Sequence, residues 1–244
     1  MFKTYVCTLL FCLNLIIPVT AQPFTTDSIK TNAGILKITF IGHASLLFNF
    51  AGKNIYVDPY SKLTDYSQLP QADLILITHE HPDHLDLKAV AAIRTKKTQL
   101  IITKTCAAAI PDGIVMNNGD TQALQGLTIE AVPAYNLVHK RPDGKLFHPQ
   151  GSGNGYVVVF GDTRIYVAGD TENIPEMKNL RNIYCAFLPM NLPYTMTPKM
   201  VVAAVELFHP KILYPYHYGI TDPQDLLTLL QGRPDIEVRI RSLR

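Results

Sequence analysis

Short runs of apolar and β-branched residues, bounded by glycine, proline or polar residues, recur along the chain and predict a protein rich in β-strands. The first runs are at 35–40, 45–50 and 54–58, and a tight turn at 51–53 joins the last two, which favours antiparallel hairpins. The run at 73–78 is almost entirely apolar, as expected of a strand covered on both faces. Further strands are predicted at 100–103, 114–116, 128–132, 156–160, 164–168, 185–188 and 211–214.

Helical spacing is found in fewer segments. Residues 85–97 place Leu87, Val90 and Ile93 on one stripe, 198–208 predict a second helix, and 106–110 predict a short one. Two sets of strands with helices between and after them predict a sandwich with sheets inside and helices outside. Because no linker or short repeat interrupts this pattern, we expect residues 22–244 to form one domain.

The one long apolar run lies at the amino terminus. It follows Lys3, extends to Ile17, and is succeeded by small residues before position 22. This pattern is typical of a secretory signal peptide over residues 1–21. Pro18 interrupts the run before it reaches the roughly 20 apolar residues of a membrane-spanning helix. We therefore expect an exported chain, periplasmic or secreted, with no transmembrane span after signal removal.

Composition narrows the class of partner. The 22 Lys+Arg and 20 Asp+Glu give a formal charge of +2, and the basic residues are scattered, so no nucleic acid is expected as a partner. A hydrophobic content of 47% excludes disorder as the main state. Beyond the amino-terminal run only Cys106 and Cys185 remain, each among apolar residues, which predicts buried thiols rather than a disulfide framework. A small-molecule substrate is expected; the oligomeric state is not indicated.

The sharpest chemical feature directly follows the apolar run at 73–78. Three histidines and one aspartate fall within six positions: His79, His81, Asp83 and His84. Imidazoles and carboxylates are ligands that suit zinc. An extended loop can direct His79 and His81 at one ion, and Asp83 and His84, which follow Pro82, can hold a second. The alternative is a solvated histidine-rich turn, but so dense a cluster at a strand end favours a metal site.

The spacing His-x-His-x-Asp-His resembles the signature of the metallo-β-lactamase fold superfamily. The resemblance implies an α+β four-layer αββα sandwich and two metal ions, zinc by preference, with manganese or iron as alternatives. By the same resemblance, Asp170 in the Gly-Asp-Thr segment at 169–171 bridges the ions. It also makes His217, in the Tyr-His-Tyr segment at 216–218, the final histidine ligand.

Two further segments resemble one branch of that superfamily, which includes ascorbate-6-phosphate lactonase and N-acyl-phosphatidylethanolamine phospholipase D. They are Gly-His-Ala-Ser at 42–45 and Val-Asp-Pro at 57–59. The resemblance implies that His43 orients a ligand or contacts substrate, and a merely hydrogen-bonded loop histidine is the alternative. Asp58 either accepts an imidazole N–H of a ligand or caps the turn at Pro59.

One segment departs from the superfamily pattern. Where a histidine usually follows the strand, this chain has Ala-Tyr-Asn at 134–136, and the next histidines are His139 and His148. The Phe-His-Pro segment at 147–149 resembles a sub-branch in which Ala-Tyr-Asn is followed by such a histidine. We therefore expect His148 to be the third ligand of the first ion, with His139 as the alternative.

The resemblance thus implies a metal-dependent hydrolase in which a hydroxide shared by the two ions attacks an ester, lactone, amide or phosphodiester. Asp83, Asp170 and His43 are the residues expected closest to the chemistry. His81 stands where redox-iron relatives carry glutamate, which favours zinc, and Asp170 argues against β-lactam hydrolysis. Two alternatives remain open: an exported metal-binding protein without hydrolytic turnover, and a degenerate binding module that keeps only the fold. The expected metal ligands are His79, His81, Asp83, His84, His148, Asp170 and His217.

Overall fold

The structure is a computed structural model, and it describes residues 24–243. The signal peptide predicted over residues 1–21 lies outside the described residues, so export stays a prediction. Within 24–243, none of the helices combines the length and the apolar character needed to cross a membrane.

Fourteen strands form two mixed sheets of seven strands each within the described residues. The first sheet contains β1 Thr26–Thr31, β2 Gly34–Gly42, β3 Ser45–Phe50, β4 Lys53–Val57, β5 Leu74–Leu76, β6 Gln99–Ile102 and β7 Ile114–Val115, in chain order. The second contains β8 Thr121–Leu124, β9 Leu127–Ala134, β10 Gly153–Phe160, β11 Thr163–Val167, β12 Ile183–Pro189, β13 Ile212–Tyr216 and β14 Glu237–Val238, again in chain order.

The two sheets share one pairing scheme. In each sheet the first four strands pair antiparallel and the later strands pair parallel. Parallel pairs require crossover connections, and helices occupy three of them. These are α1 Leu87–Ile93, α2 Pro198–Phe208 and α3 Asp225–Leu229.

The sheets pack face to face around an aromatic and aliphatic core. Phe48 of β3 contacts Phe160 of β10 with ring centroids 5.5 Å apart, and Phe187 of β12 stacks on Tyr214 of β13 at 4.9 Å. A second apolar cluster lies beneath α1, which buries Val90 and Ile93 there. Helix α2 buries an apolar stripe ending at Phe208, which contacts Tyr166 of β11. The αββα sandwich expected from the sequence is therefore confirmed.

Several elements differ from the sequence-based expectation. The helix predicted at 85–97 is shorter, because Asp86 caps its start and the chain is extended again at Arg94. The helix predicted at 106–110 was wrong: the segment contains only the end of a single 3₁₀ turn, Lys104–Cys106. The edge strands β1, β8 and β14 and helix α3 were not predicted. Cys106 and Cys185 are buried free thiols, as predicted.

A cluster of charged and polar groups ties the open edges of the two sheets together. Asp27 of β1 accepts hydrogen bonds from the guanidinium of Arg241, at 2.8–3.1 Å, and from the hydroxyl of Tyr214. Burial raises the pKa of Asp27, but the hydrogen bonds from Tyr214 and Arg241 outweigh burial and lower it below its ordinary value. The ionised carboxylate therefore stabilises the folded state.

Substitution of Asp27 by Asn is expected to lower the free energy of unfolding at pH 7 by about 1–2 kcal/mol, because hydrogen bonds to a charged group are lost. Since the folded pKa lies below the unfolded one, this stabilisation is present above the unfolded pKa and is lost as the pH falls through the folded pKa. The difference between variant and wild type should therefore shrink between about pH 4 and about pH 2. Urea unfolding followed by circular dichroism measures it.

The matched control is Asp143→Asn. Asp143 is exposed, and its ion pair with the exposed Lys145 is long, at 3.6 Å. Its effect should stay within about 0.5 kcal/mol. An Asp27→Asn loss that is equally large at both ends of the pH range would contradict the assignment of a stabilising charge.

Candidate metal centre

The residues predicted as metal ligands come together at one end of the sandwich, where successive parallel strands finish. His79 follows β5, Asp170 follows β11, His217 follows β13, and His148 precedes β10. Because parallel strands end at the same edge of a sheet, residues distant in sequence meet there. His43, in the turn between β2 and β3, lies at the same end.

The backbone at this end is held in a conformation that side chains rarely adopt. His43, Asp58 and His217 have φ angles of 52°, 42° and 44°, in the left-handed region that favours glycine. Such conformations persist only where the surrounding structure imposes them, and they concentrate at functional sites. Here each aims a chemically active side chain inward.

The first cluster consists of three imidazoles. Nε2 of His79 lies 3.0 Å from Nδ1 of His81, and Nε2 of His148 lies 3.2 Å from the same atom. All three ring nitrogens fall within 4.8 Å of one another. His79 and His148 are buried, and His81 is partly buried.

Hydrogen bonds behind two of these rings determine which nitrogen carries the proton. Thr78 donates its hydroxyl proton to Asp58, at 2.6 Å, so the same hydroxyl oxygen accepts from Nδ1 of His79, at 3.0 Å. Nδ1 of His148 donates to the side-chain oxygen of Asn136 at 2.6 Å. In both rings Nε2 therefore presents a lone pair to the cluster, as a metal ligand does. Burial lowers the pKa of His79 well below its ordinary value, which keeps that ring neutral.

His139 lies outside this group. Its Nδ1 is 2.8 Å from Oε1 of Glu172, a buried carboxylate that accepts backbone N–H groups of residues 137–139 at 2.7 Å each. Glu172 also accepts from the amide of Asn136 at 2.9 Å, so it fixes the residue that orients His148. No local pattern predicts this role of Glu172, because its contacts span 33–36 residues.

The second cluster combines histidines with carboxylates. Nδ1 of His84 lies 2.8 Å from Asp58, which turns Nε2 of His84 toward Asp170 at 3.5 Å and Asp83 at 3.8 Å. Nε2 of His217 lies 3.6 Å from Asp83. Nε2 of His43 is 3.0 Å from the same Asp83 oxygen.

Asp170 lies between the two clusters. Its Oδ2 is 3.3 Å from Nε2 of His148, in the first cluster, and 3.5 Å from Nε2 of His217, in the second. Burial raises the pKa of Asp170, but the neighbouring His217 and His84 outweigh it and hold that pKa well below its usual range. The carboxylate is therefore ionised and reaches both groups.

Two buried atoms indicate what this arrangement fits. Among the described residues, Nε2 of His84 and Oδ1 of Asp170 are buried without a hydrogen-bond partner, although they lie 3.5 Å apart. Each such atom costs about 1–3 kcal/mol unless something satisfies it. Burial lowers the pKa of His84, but the carboxylates of Asp170 and Asp58 outweigh the effect of burial and raise that pKa to about 9. The cluster therefore favours positive charge, and its nitrogen and oxygen donors fit divalent metal ions.

A cavity of about 520 Å³ opens over both clusters. A cavity of this size can hold a small molecule beside the histidines and aspartates. Its lining consists of His81, Asp83, Arg141, Pro142, Phe147, His148, Asp170, Asn191, Tyr194 and His217.

His148→Ala is expected to weaken zinc binding at the three-imidazole cluster by at least about tenfold, because it removes a nitrogen donor, and the zinc content of protein purified at limiting zinc should fall accordingly. His139→Ala is the matched control and should retain most of the metal, since His139 contacts Glu172 instead. Atomic emission measurements of zinc per folded chain test this. A greater loss in His139→Ala would exchange the two assignments.

Comparison with known proteins agrees with this chemistry. The family described as the beta-lactamase superfamily domain matches residues 37–217. A UPF0173 metal-dependent hydrolase of Methanopyrus kandleri is 34% identical over 199 residues, which cover 77% of this chain and 86% of that relative.

Solved structures are similar over most of the chain. A crystal structure from Parabacteroides distasonis, of a protein assigned as a metal-dependent hydrolase, superposes with a TM-score of 0.87 at 48% identity and covers 91% of this chain and 100% of its own. Igni18, a metallo hydrolase of Ignicoccus hospitalis, superposes with a TM-score of 0.71 at 25% identity, covering 86% and 96%. The lactonase and phospholipase branch named above stays a prediction. The chain belongs to the UPF0173 metal-dependent hydrolases of the metallo-β-lactamase superfamily.

Proposed function

We propose that this metal-dependent hydrolase holds two zinc ions and cleaves an ester, lactone, amide or phosphodiester bond in a small molecule. The observation that carries the proposal is the position of Asp170. Its buried carboxylate lies within 3.5 Å of histidine nitrogens from both clusters, and one of its oxygens has no hydrogen-bond partner among the described residues. A carboxylate in that position suits a bridge between two cations better than it suits a single ion.

The two clusters divide the remaining ligands. In the proposal, the three imidazoles of His79, His81 and His148 hold one ion. The second ion would be held by Asp83, His84 and His217, and Asp170 would contribute to both sites. Nitrogen-rich donor sets with few carboxylates favour zinc over manganese.

Bound in this way, the ions would supply Lewis acidity, polarising the substrate's carbonyl or phosphoryl oxygen and lowering the pKa of water toward neutrality. The protein's own contribution is orientation. Asp58 contacts Nδ1 of His84 directly at 2.8 Å. It also holds His79 through Thr78, whose hydroxyl lies 2.6 Å from Asp58 and 3.0 Å from Nδ1 of His79. Asn136 holds His148.

Asp83 and His43 act at the cavity itself in this proposal. Both aspartates line the cavity, but the side chain of Asp83 is 33% exposed, whereas Asp170 is almost fully buried. Asp83 is therefore the carboxylate that a water molecule in the cavity can reach, and it would accept the proton which the attacking water releases. His43 restrains that carboxylate at 3.0 Å, and its ring lies against His217 with centroids 3.9 Å apart.

Replacement of Asp170 by Asn is expected to reduce turnover by more than about 100-fold, because the neutral amide can no longer bridge two cations. The substitution is nearly isosteric, so the fold should be retained. Turnover on a panel of chromogenic esters, lactones, amides and phosphodiesters, together with zinc content and the circular dichroism spectrum, measures the effect.

The matched control is Asp225→Asn, an exposed aspartate in the first turn of α3, which should leave turnover unchanged. Full activity in Asp170→Asn with an unchanged zinc content would contradict the bridging role. A wild-type protein that binds zinc but turns over no member of the panel would instead favour the metal-binding alternative.

A further inference from the structure

Arg141 lies at the rim of the cavity, on a short hairpin that the sequence did not predict. An isolated bridge pairs Lys140 with Leu146, and the backbone N–H of Arg141 donates to Lys145 at 2.7 Å. Its guanidinium donates to the carbonyl of Phe147 at 3.1 Å and contacts Nε2 of His81 at 3.2 Å. This cation therefore contacts the three-imidazole cluster directly, at the outer ring nitrogen of His81.

The guanidinium has no carboxylate partner among residues 24–243. Five of the seven arginines in this range are paired with a carboxylate within 3.2 Å, and the other exception, Arg181, donates to backbone carbonyls away from the cavity. Arg141 is also the one lysine or arginine that lines the cavity over the two clusters. The lining thus includes a permanent positive charge whose forked donors are not satisfied by an anion of the protein.

The contact with His81 fits only one tautomer of the neutral ring. Arginine can only donate, so Nε2 of His81 must accept from it and the ring proton must be on Nδ1. Nδ1 is the atom that faces His79 and His148 and would ligate a metal. A neutral His81 that ligates through Nδ1 carries its proton on Nε2. That N–H cannot accept a hydrogen bond from the guanidinium, because both groups are donors. Arg141 then keeps the Phe147 carbonyl as its hydrogen-bond acceptor among the described residues, with the Phe147 ring centroid 6.0 Å from the guanidinium carbon, and its remaining donors are available to the cavity.

An apolar surface adjoins this cation. The rings of Phe147 and Tyr194 meet edge to face with centroids 4.9 Å apart, and both line the cavity. Tyr194 is 44% exposed, and Asn136 holds its backbone carbonyl at 2.9 Å. Aromatic faces held in place beside a cation suit a ligand that is apolar or planar at one end and anionic at the other.

We propose that Arg141 determines substrate specificity by binding an anionic group, a carboxylate or a phosphate, that is separate from the bond to be cleaved. The apolar part of the substrate would lie against Phe147 and Tyr194. This proposal rests on the proposed hydrolase function, because it names the substrate class of the same site. The geometry of the guanidinium fits the paired oxygens of either anion.

The test is binding of three small probes to the zinc-loaded protein, measured by isothermal titration calorimetry. Benzoate carries a carboxylate, phenylphosphonate carries a phosphoryl group, and benzamide is a neutral molecule of similar shape. Arg141→Gln should weaken binding of at least one anionic probe by about tenfold, as for loss of a charge-assisted contact. It should leave benzamide unchanged. The anionic probe that loses more identifies the carboxylate or the phosphate class.

Lys145→Gln is the matched control, because it removes one positive charge from the same hairpin at a side chain that is 81% exposed and outside the cavity lining. It should bind all three probes as the wild type does. Equal loss in both variants would overturn the proposal, since general charge would then explain the effect. Unchanged anion binding in Arg141→Gln would also overturn it.

Zinc content separates this role from support of His81. It should be the same in Arg141→Gln and wild type, and a parallel loss of zinc and anion binding would overturn the proposal in favour of a positioning role. The two proposals can fail separately. Arg141-dependent anion binding without turnover would contradict only the hydrolytic reaction, whereas turnover with Arg141-independent binding would contradict only the specificity assignment.

Discussion

The buried carboxylate of Asp58 fixes histidines that belong to two different clusters. It accepts a hydrogen bond from Nδ1–H of His84 and another from the hydroxyl of Thr78. Because the Thr78 hydroxyl donates to Asp58, its oxygen accepts a hydrogen bond from His79. Asp58 also accepts the backbone N–H of Thr78 at 2.8 Å. One carboxylate at the end of β4 therefore sets the direction of ligands that follow β5. Without it, the imidazoles would be free to turn their protons toward one another.

The fold makes this arrangement possible by bringing strand ends together. Each sheet begins with hairpins and continues with parallel strands, so the loops that follow β4, β5, β11 and β13 open toward the same end. The core between the sheets keeps these loops at fixed separations, because buried aromatic side chains such as Phe187 and Tyr214 leave little freedom to shift. Asp58 and His217 adopt a strained left-handed backbone conformation, and this conformation directs their side chains inward.

The sequence predicted the local part of this site and missed the part made by distant contacts. The spacing of His79, His81, Asp83 and His84 is visible because all four lie on one loop. Asp170 and His217 could be proposed only through resemblance, since a single aspartate or histidine carries little information by itself. Glu172 and Arg141 have no local pattern: Glu172 acts through loop residues 33–36 positions away, and Arg141 through His81, 60 positions away.

In the fold, too, the features with a local sequence pattern were predicted and the others were missed. Apolar runs predicted the central strands, whereas β1 alternates exposed and buried residues at a sheet edge and gave no continuous apolar signal. The predicted helix at 106–110 is apolar but too short to stabilise itself, and Pro111 follows it directly. Burial of Cys106 by the surrounding core then favours a single tight turn.

The central claim is that the two clusters form a binuclear centre. The most direct measurement is the zinc content per chain of protein comprising residues 22–244, purified in folded form and dialysed after zinc loading. The account predicts two zinc ions per chain, because three imidazoles form the first cluster, His84 and His217 lie 3.8 and 3.6 Å from Asp83 in the second, and Asp170 reaches both. A folded protein that retains one ion or none would contradict it.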